Sequence, residues 1–135
     1  MNKEIEMLLH KAIKKYGIQE NIYVGKNIEL KEKWTSSAVI EKKDLDDYGV
    51  RNSLIKCSRI LEEDLEKHIY VALVKLPGIG NREVLLVSQR TGDVVSIATF
   101  AKEGLISQRM AEKAIDLFKE CLNKKVREKQ EECIS

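Results

Sequence analysis

The stretch that decides the fold is residues 68–100, HIYVALVKLPGIGNREVLLVSQRTGDVVSIATF. Two of its segments, His68–Leu76 and Val94–Phe100, are rich in β-branched and aromatic residues, and Val84–Val87 is a short apolar run. This composition favours strands. Residues Arg90–Asp93 contain the Thr-Gly-Asp sequence of a turn. The stretch therefore predicts three antiparallel strands joined as a meander.

Further strand patterns lie on the N-terminal side of this meander. Apolar and polar residues alternate over Ser53–Leu61, which predicts a fourth strand. Ala38–Ile40 is apolar enough for a short strand, and Ile22–Trp34 has strand character around a turn at residues 25–27. Asp44–Gly49 is polar and is predicted to be a loop or one helical turn. We therefore expect a sheet of four to six strands.

Both ends of the chain carry helical patterns. Apolar residues recur every three or four positions over Ile5–Tyr16 and again over Ala111–Val126, with Ser107 as a candidate N-cap of the second helix. An antiparallel sheet needs one face covered, so we expect an α+β fold with both helices on the same face. After Arg127 the apolar pattern ends. We predict one globular domain over residues 1–135, with about 127–135 as a frayed C-terminal tail.

Composition narrows the class of protein. The chain has 135 residues, 43% hydrophobic and 34% charged, which is too apolar for a disordered chain. No apolar run approaches the 18 or more residues of a membrane span, and the first residues lack the apolar stretch of a secretory signal. Three widely spaced cysteines, Cys57, Cys121 and Cys133, suit a reducing compartment. We expect a soluble, cytoplasmic protein with no membrane contact and no disulfide.

One short segment, Leu76–Gly80 (Leu-Pro-Gly-Ile-Gly), resembles the turn of the helix-hairpin-helix family. The resemblance implies that Gly78 and Gly80 form a turn whose backbone N–H groups bind a nucleic-acid phosphate, with Arg82 as a further backbone contact. Leu61–Leu76 also fits a helical period, so this segment could be a helix or a strand. The family requires a second helix after the turn, where this chain has a β-hairpin pattern. A glycine loop between two strands is therefore the favoured interpretation.

Chemistry-bearing residues are few. Cys57 and His68 could meet on neighbouring strands as a nucleophile or half a metal site, but no third group stands at a familiar spacing. We interpret them as a buried structural cysteine and a histidine at the edge of the sheet. The acidic residues of 44–47 and 62–66 are interpreted as solvated turns. We therefore expect no catalytic site, no metal and no cofactor.

The remaining candidates are binding residues. Trp34 could anchor an interface, although its alternation with Ile28 and Leu30 also fits a core position. Residues 67–109 hold six basic and three acidic groups, although the net charge of the whole chain is only +2. The basic candidates are Lys75, Arg82, Arg90, Lys102 and Arg109.

We expect a small non-catalytic protein that binds another protein or a second copy of itself, as an inhibitor, adaptor or regulator. The alternative is a nucleic-acid-binding protein that uses the basic sheet region and the Leu76–Gly80 loop. The weak basic excess, in which 18 Lys outnumber 6 Arg, favours the first hypothesis, because Arg suits bidentate phosphate contacts better.

Overall fold

A computed structural model describes residues 2–22, 34–78, 82–103 and 108–134, with side chains only as far as residue 123 in the last range. The elements described, in chain order, are α1 (Lys3–Tyr16), β1 (Thr35–Glu41), α2 (Asp47–Cys57), β2 (Ser58–Asp64), β3 (Ile69–Lys75), β4 (Glu83–Thr91), β5 (Val94–Phe100) and α3 (Met110–Ile134). Of the predicted features, the strand pattern at residues 23–33, Gly80, Ser107 and the side chain of Cys133 lie outside the described residues. No helix in the described ranges is long and apolar enough to cross a membrane.

The five strands form one antiparallel sheet in the order β1-β5-β4-β3-β2. Strands β2 to β5 follow one another as a meander, and β1 pairs with β5, from Thr35 opposite Phe100 to Glu41 opposite Val94. The β4–β5 hairpin closes through Gly92, whose φ of +60° lies in the left-handed region that suits glycine. The α+β class, the meander and the terminal helices agree with the prediction from sequence.

The helices differ from expectation in the face they cover. Val71 and Leu73 of β3 pack with α1, whereas Tyr70, Ala72 and Val74 pack in a second core with α2 and α3. Because successive side chains of a strand point to opposite faces, α1 covers one face of the sheet and α2 and α3 cover the other. The expectation that both terminal helices share one face is therefore wrong, and the molecule has three layers.

The predicted core residues of the terminal helices are buried. Less than 5% of the residue surface is exposed at each of Leu9, Ile13, Ile115, Phe118 and Leu122. The N-terminal end of α3 is held by Glu103, whose Oε1 accepts hydrogen bonds from the backbone N–H groups of Gln108 (2.7 Å) and Met110 (3.2 Å). The helix continues to Ile134, into the segment predicted as a frayed tail.

Helix α2 occupies part of a region predicted as loop and strand. Asp46 caps it, since its Oδ1 accepts a hydrogen bond of 2.7 Å from the N–H of Gly49. Residues 53–57, predicted to begin a strand, form its last turns, and the strand β2 begins at Ser58. Val50, Leu54 and Cys57 recur at helical spacing and are buried toward α3, so burial favours a helix over the alternating strand pattern.

Candidate functional site

The outer edge of β1 carries backbone groups that point away from the sheet. At the ends of the β1–β5 ladder, the N–H of Lys42 donates to the carbonyl of Asp93 and the carbonyl of Trp34 accepts from Ala101, each at 2.9 Å. In an antiparallel ladder, hydrogen-bonded positions alternate along the strand. The even-numbered residues 34–42 therefore bond to β5, and the N–H and C=O groups of residues 37, 39 and 41 point outward.

Within the described part of the chain, no strand lies beyond β1. The side chains along this edge leave it open, because Glu41 is the only charged residue of the strand and the strand has no proline. Val39 is 67% exposed. Edge strands that avoid pairing with other chains usually carry charges, prolines or bulges. The β1 edge therefore has the features of a strand that can accept another strand.

The opposite edge of the sheet is protected. Strand β2 contains a bulge between Ile60 and Glu62, which breaks its register with β3. Arg59 of β2 forms ion pairs with Glu20 (2.9 Å) and Glu83 (3.4 Å), and Glu63 pairs with Arg51 at 2.6 Å. The sheet thus has one edge blunted by charge and a bulge and one regular edge that is nearly uncharged.

Trp34, a candidate interface residue, lies in the core beside this open edge. Its ring meets that of Phe100 edge to face, with centroids 6.3 Å apart and planes at 83°. The residue is 8% exposed and belongs to the core under α1. Trp34 thus occupies a core position, which was the second interpretation from sequence. Its ring packs on the inner side of the sheet, next to the start of β1.

A second cluster of polar side chains lies where two hairpins meet the start of α2. The Oδ1 of Asp47 accepts a hydrogen bond of 2.8 Å from Nε of Arg90, and its Oδ2 lies 2.6 Å from Nδ1 of His68. Arg90 also donates from Nη1 to the carbonyl of Gly92 at 2.7 Å. Burial opposes ionisation of Asp47, but the hydrogen bonds from Arg90 and His68 outweigh it, so the pKa of this carboxyl is below its usual value.

This Asp47–His68–Arg90 cluster borders a cleft of about 610 Å³ between α1 and the hairpin ends. The cleft walls carry charges of both signs, which include Lys11, Lys67, Glu4 and Glu66. His68 has a φ of +58° and stands in the turn before β3. Its short contact to Asp47 orients the imidazole in the way a carboxylate holds a base. The same carboxylate also binds Arg90. The cluster therefore acts as a structural link that joins α2 to both hairpins.

The predicted basic residues do not all come together. Lys75, Arg82 and Lys102 lie at the end of the sheet where β3 ends and β4 begins. Arg90 lies at the opposite end of β4, bound to Asp47, and Arg109 precedes α3, 3.6 Å from Glu112. Arg82 directs Nη1 toward the Sδ of Met110 at 3.8 Å. Arg109 adjoins Met110, so four of the five candidates lie at one end of the sheet and Arg90 lies at the other.

The glycine loop connects two strands, as the favoured interpretation held. Residues 69–75 form β3, and β4 follows the loop at Glu83 where the helix-hairpin-helix resemblance requires a second helix. The N–H of Leu76 donates to the carbonyl of Arg82 at 3.2 Å, which closes the loop. Gly78 has a φ of +80°, and a Cβ placed there would meet no atom within 4 Å. The loop stands at the same end of the sheet as Lys75, Arg82 and Lys102.

Cys57 and His68 do not form the pair considered from sequence. The His68 ring contacts Asp47, and Cys57 packs instead beside Cys121 of α3. Both cysteines are free thiols. Among the described residues, no group of three or more His, Cys, Asp or Glu side chains is placed to hold a metal ion.

Comparisons with known proteins add no relatives. The chain matches no protein-family model, no curated protein and no solved structure. Function is therefore inferred from the geometry of the described residues.

Proposed function

We propose that this protein is a non-catalytic protein-interaction module that pairs the outer edge of β1 with an extended strand of a second protein molecule. The observation that carries the proposal is the row of outward N–H and C=O groups at residues 37, 39 and 41, on a regular edge with a single charged side chain. An added strand would satisfy these groups as in other sheet-extending complexes.

A second copy of the chain supplies a strand that fits this edge. Two β1 strands related by a two-fold axis at Ala38 would place Ser37 of one copy opposite Val39 of the other, and Thr35 opposite Glu41. The outward backbone groups of Ser37 and Val39 in both strands then have partners. Ala38 would oppose Ala38 at a position without hydrogen bonds, where side chains come closest. No like charges face each other.

The test is the oligomeric state of the full chain, measured by sedimentation velocity across a concentration series. We expect dimers that dissociate on dilution. A protein that remains monomeric up to about 1 mM would overturn the proposed self-pairing, because even a free energy of about −4 kcal/mol would produce dimers at that concentration.

Proline substitution separates edge pairing from folding. Val39→Pro removes an N–H that points outward, so it should abolish the dimer while leaving the β1–β5 ladder intact. Ala38→Pro removes an N–H that bonds to β5, so it should lower the free energy of unfolding by about 3 kcal/mol or more. A dimer that survives in Val39→Pro would place the interface elsewhere.

Introducing a lysine at two different exposed apolar positions provides a matched test of the interface. Val39→Lys and Leu65→Lys both replace a largely exposed apolar side chain, 67% and 63% exposed respectively. Val39→Lys would place two like charges beside the two-fold axis and should weaken the dimer by at least tenfold in Kd, whereas Leu65→Lys should leave Kd unchanged. Equal effects of both substitutions would contradict edge pairing.

The role we propose for such a module is that of an inhibitor, adaptor or regulator, since its interaction surface is backbone rather than a reactive side chain. The proposed location is the cytoplasm, because widely spaced thiols are kept reduced there. Cys57 and Cys121 are free, in keeping with that location.

One observation favours a second candidate, nucleic-acid binding. Lys75, Arg82 and Lys102 share one end of the sheet with the Gly78 loop. If phosphates bind there, affinity for a labelled duplex should fall steeply with salt, and neutralising these three residues should flatten that slope by about three counterions. Neutralising Arg90, at the other end of β4, serves as the control. Micromolar or weaker binding at about 150 mM salt with no effect of the triple variant would exclude this candidate.

A further inference from the structure

Cys57 and Cys121 lie side by side although 64 positions separate them in the chain. Cys57 is the last residue of α2, and Cys121 lies on α3, which packs against it. Each residue is 8% exposed, both belong to the same core cluster, and both line one cleft. Cysteines that face each other on two packed helices can be joined by a disulfide when their Cα atoms lie within about 7 Å.

The two thiols are reachable from solvent through a cleft of about 830 Å³ at the end of the sheet that carries the Gly78 loop. Its walls include the apolar side chains of Leu76 and Leu117. The charged side chains that line it are Lys56, Arg59, Lys75 and Glu83, so cations outnumber the single carboxylate. A small disulfide that carries carboxylates would be attracted to the lysines while its sulfur atoms reach the base of the cleft. Oxidised glutathione has this chemistry.

We propose that Cys57 and Cys121 form a redox modification site, at which an anionic low-molecular-weight disulfide converts the two thiols to a disulfide that fastens α2 to α3. The inference is independent of the β1 edge, since both cysteines belong to the core on the other face from α1. The pair would make the packing of α2 on α3 depend on the redox state of the surroundings.

The reaction proceeds by two thiol–disulfide exchanges. Cys121 loses its proton to water, its sulfur attacks one sulfur of oxidised glutathione, and the S–S bond breaks to release one glutathione thiolate, which takes up a proton. Cys57 then loses its proton, its sulfur attacks the Cys121 sulfur of the mixed disulfide, and the second glutathione leaves. Two protein thiols are oxidised, and one small disulfide is reduced to two thiols.

The order of attack follows from the environment of the two sulfurs. Burial, and then the neighbouring thiol of Cys121, raise the pKa of Cys57 to about 12. A thiol that keeps its proton is a poor nucleophile, so we assign the first attack to the other sulfur of the pair and the resolving role to Cys57. The mixed disulfide then forms on Cys121.

The experiment uses the full chain carrying Cys133→Ser, so that only the two proposed thiols remain. The native protein is incubated with oxidised glutathione at pH 8 and followed by intact mass and thermal unfolding. We expect a mass lower by about 2 Da and a Tm higher by about 10 °C, both reversed by dithiothreitol, because the bridge closes a loop of about 65 residues.

Single-thiol variants test the order of attack. With Cys57→Ala added, the mixed disulfide on Cys121 cannot be resolved, so the mass should rise by about 305 Da. With Cys121→Ala added instead, modification should slow at least tenfold. Circular dichroism and Tm establish that each variant is folded.

Two results would overturn the proposal. One is a stable mixed disulfide in the chain that retains both thiols. The other is a disulfide that forms in urea but not in the native protein, which would show that the folded state holds the sulfur atoms apart or closed to the reagent.

Discussion

The Nδ1 atom of His68 lies 2.6 Å from the Oδ2 atom of Asp47, across 21 positions of sequence. The contact joins the turn before β3 to the first residue of α2, and Arg90 holds the other carboxylate oxygen at 2.8 Å. One carboxylate thus fastens a helix to two hairpins at a single end of the sheet. This contact and the two separate cores each predict how particular substitutions change the free energy of unfolding.

The Asp47 carboxylate should make the free energy of unfolding depend on pH in the acidic range. Although burial opposes its charge, Arg90 and His68 hold its pKa below the ordinary value of 3.8. The unfolded chain therefore binds the proton more readily, and the stability that this group contributes is present above about pH 4–5 and lost as pH falls through the lower, folded pKa. Asp47→Asn should cost about 1–2 kcal/mol at pH 7, after allowance for solvent screening.

Urea unfolding at pH 7, 4 and 2.5 measures this effect. The difference between the native protein and Asp47→Asn should shrink toward zero at the lowest pH. Asp44→Asn is the matched control, because Asp44 is exposed and its φ of +60° is one that asparagine tolerates. A difference that stays constant with pH would mean that the charge of Asp47 contributes nothing.

Substitutions in the two cores should change the free energy of unfolding independently of each other. Ile13 belongs to α1 and Ile115 to α3, and the two side chains pack in separate cores on opposite faces of the sheet. Ile13→Val and Ile115→Val should each cost about 0.5–1.5 kcal/mol, and the double variant should cost their sum within about 0.5 kcal/mol. Guanidinium titrations measure all three. A coupling above about 1 kcal/mol would contradict the separation of the cores by the sheet.

Truncation of the largest buried ring on α3 tests whether that helix is docked. Phe118 is completely buried among α2, α3 and the sheet. Phe118→Ala should cost about 3–5 kcal/mol, because it removes the ring and leaves a cavity. Lys113→Ala, on the exposed side of the same helix, is the control and should change stability by less than about 0.5 kcal/mol. A loss below about 1 kcal/mol in Phe118→Ala would mean that α3 is not packed as described.

Unlike the preceding substitutions, replacement of Ser88 should stabilise the protein. The residue is completely buried on β4, and its Oγ has no hydrogen-bond partner among the described residues. A buried hydroxyl without a partner costs about 1–3 kcal/mol. Ser88→Ala should therefore raise the free energy of unfolding by about 1 kcal/mol. Ser53→Ala is the control, because the Ser53 Oγ donates to the carbonyl of Gly49 at 2.8 Å and its loss should not stabilise the protein.

The β-meander could be predicted from sequence because its strands are long apolar segments separated by turn residues. Residues 69–74 are apolar without alternation, and each of these side chains is buried. A continuous apolar run indicates a strand covered on both faces. That signal was present in the sequence, and it contradicts the expectation that both helices lie on one face.

Helix α2 could be recognised only in part. Its sequence, DYGVRNSLIKC, contains residues of low helix propensity, including a glycine near its start. The Asp46 cap and the spacing of Val50, Leu54 and Cys57 were available as signals, but the same segment also alternates like a strand. Packing of these three residues into the core with α3 decided between the two patterns.

By itself, the sequence determined the class of fold, because the periods of its apolar residues specify which segments become strands and which become terminal helices. Only the tertiary structure decided which side chains meet. Asp47 reaches His68 and Arg90, and Cys57 reaches Cys121, because strand register and helix packing bring together positions 21 to 64 residues apart. The orientation of the β1 edge likewise depends on its register with β5. Local patterns cannot encode such contacts, since each arises from the free energy of packing the whole chain.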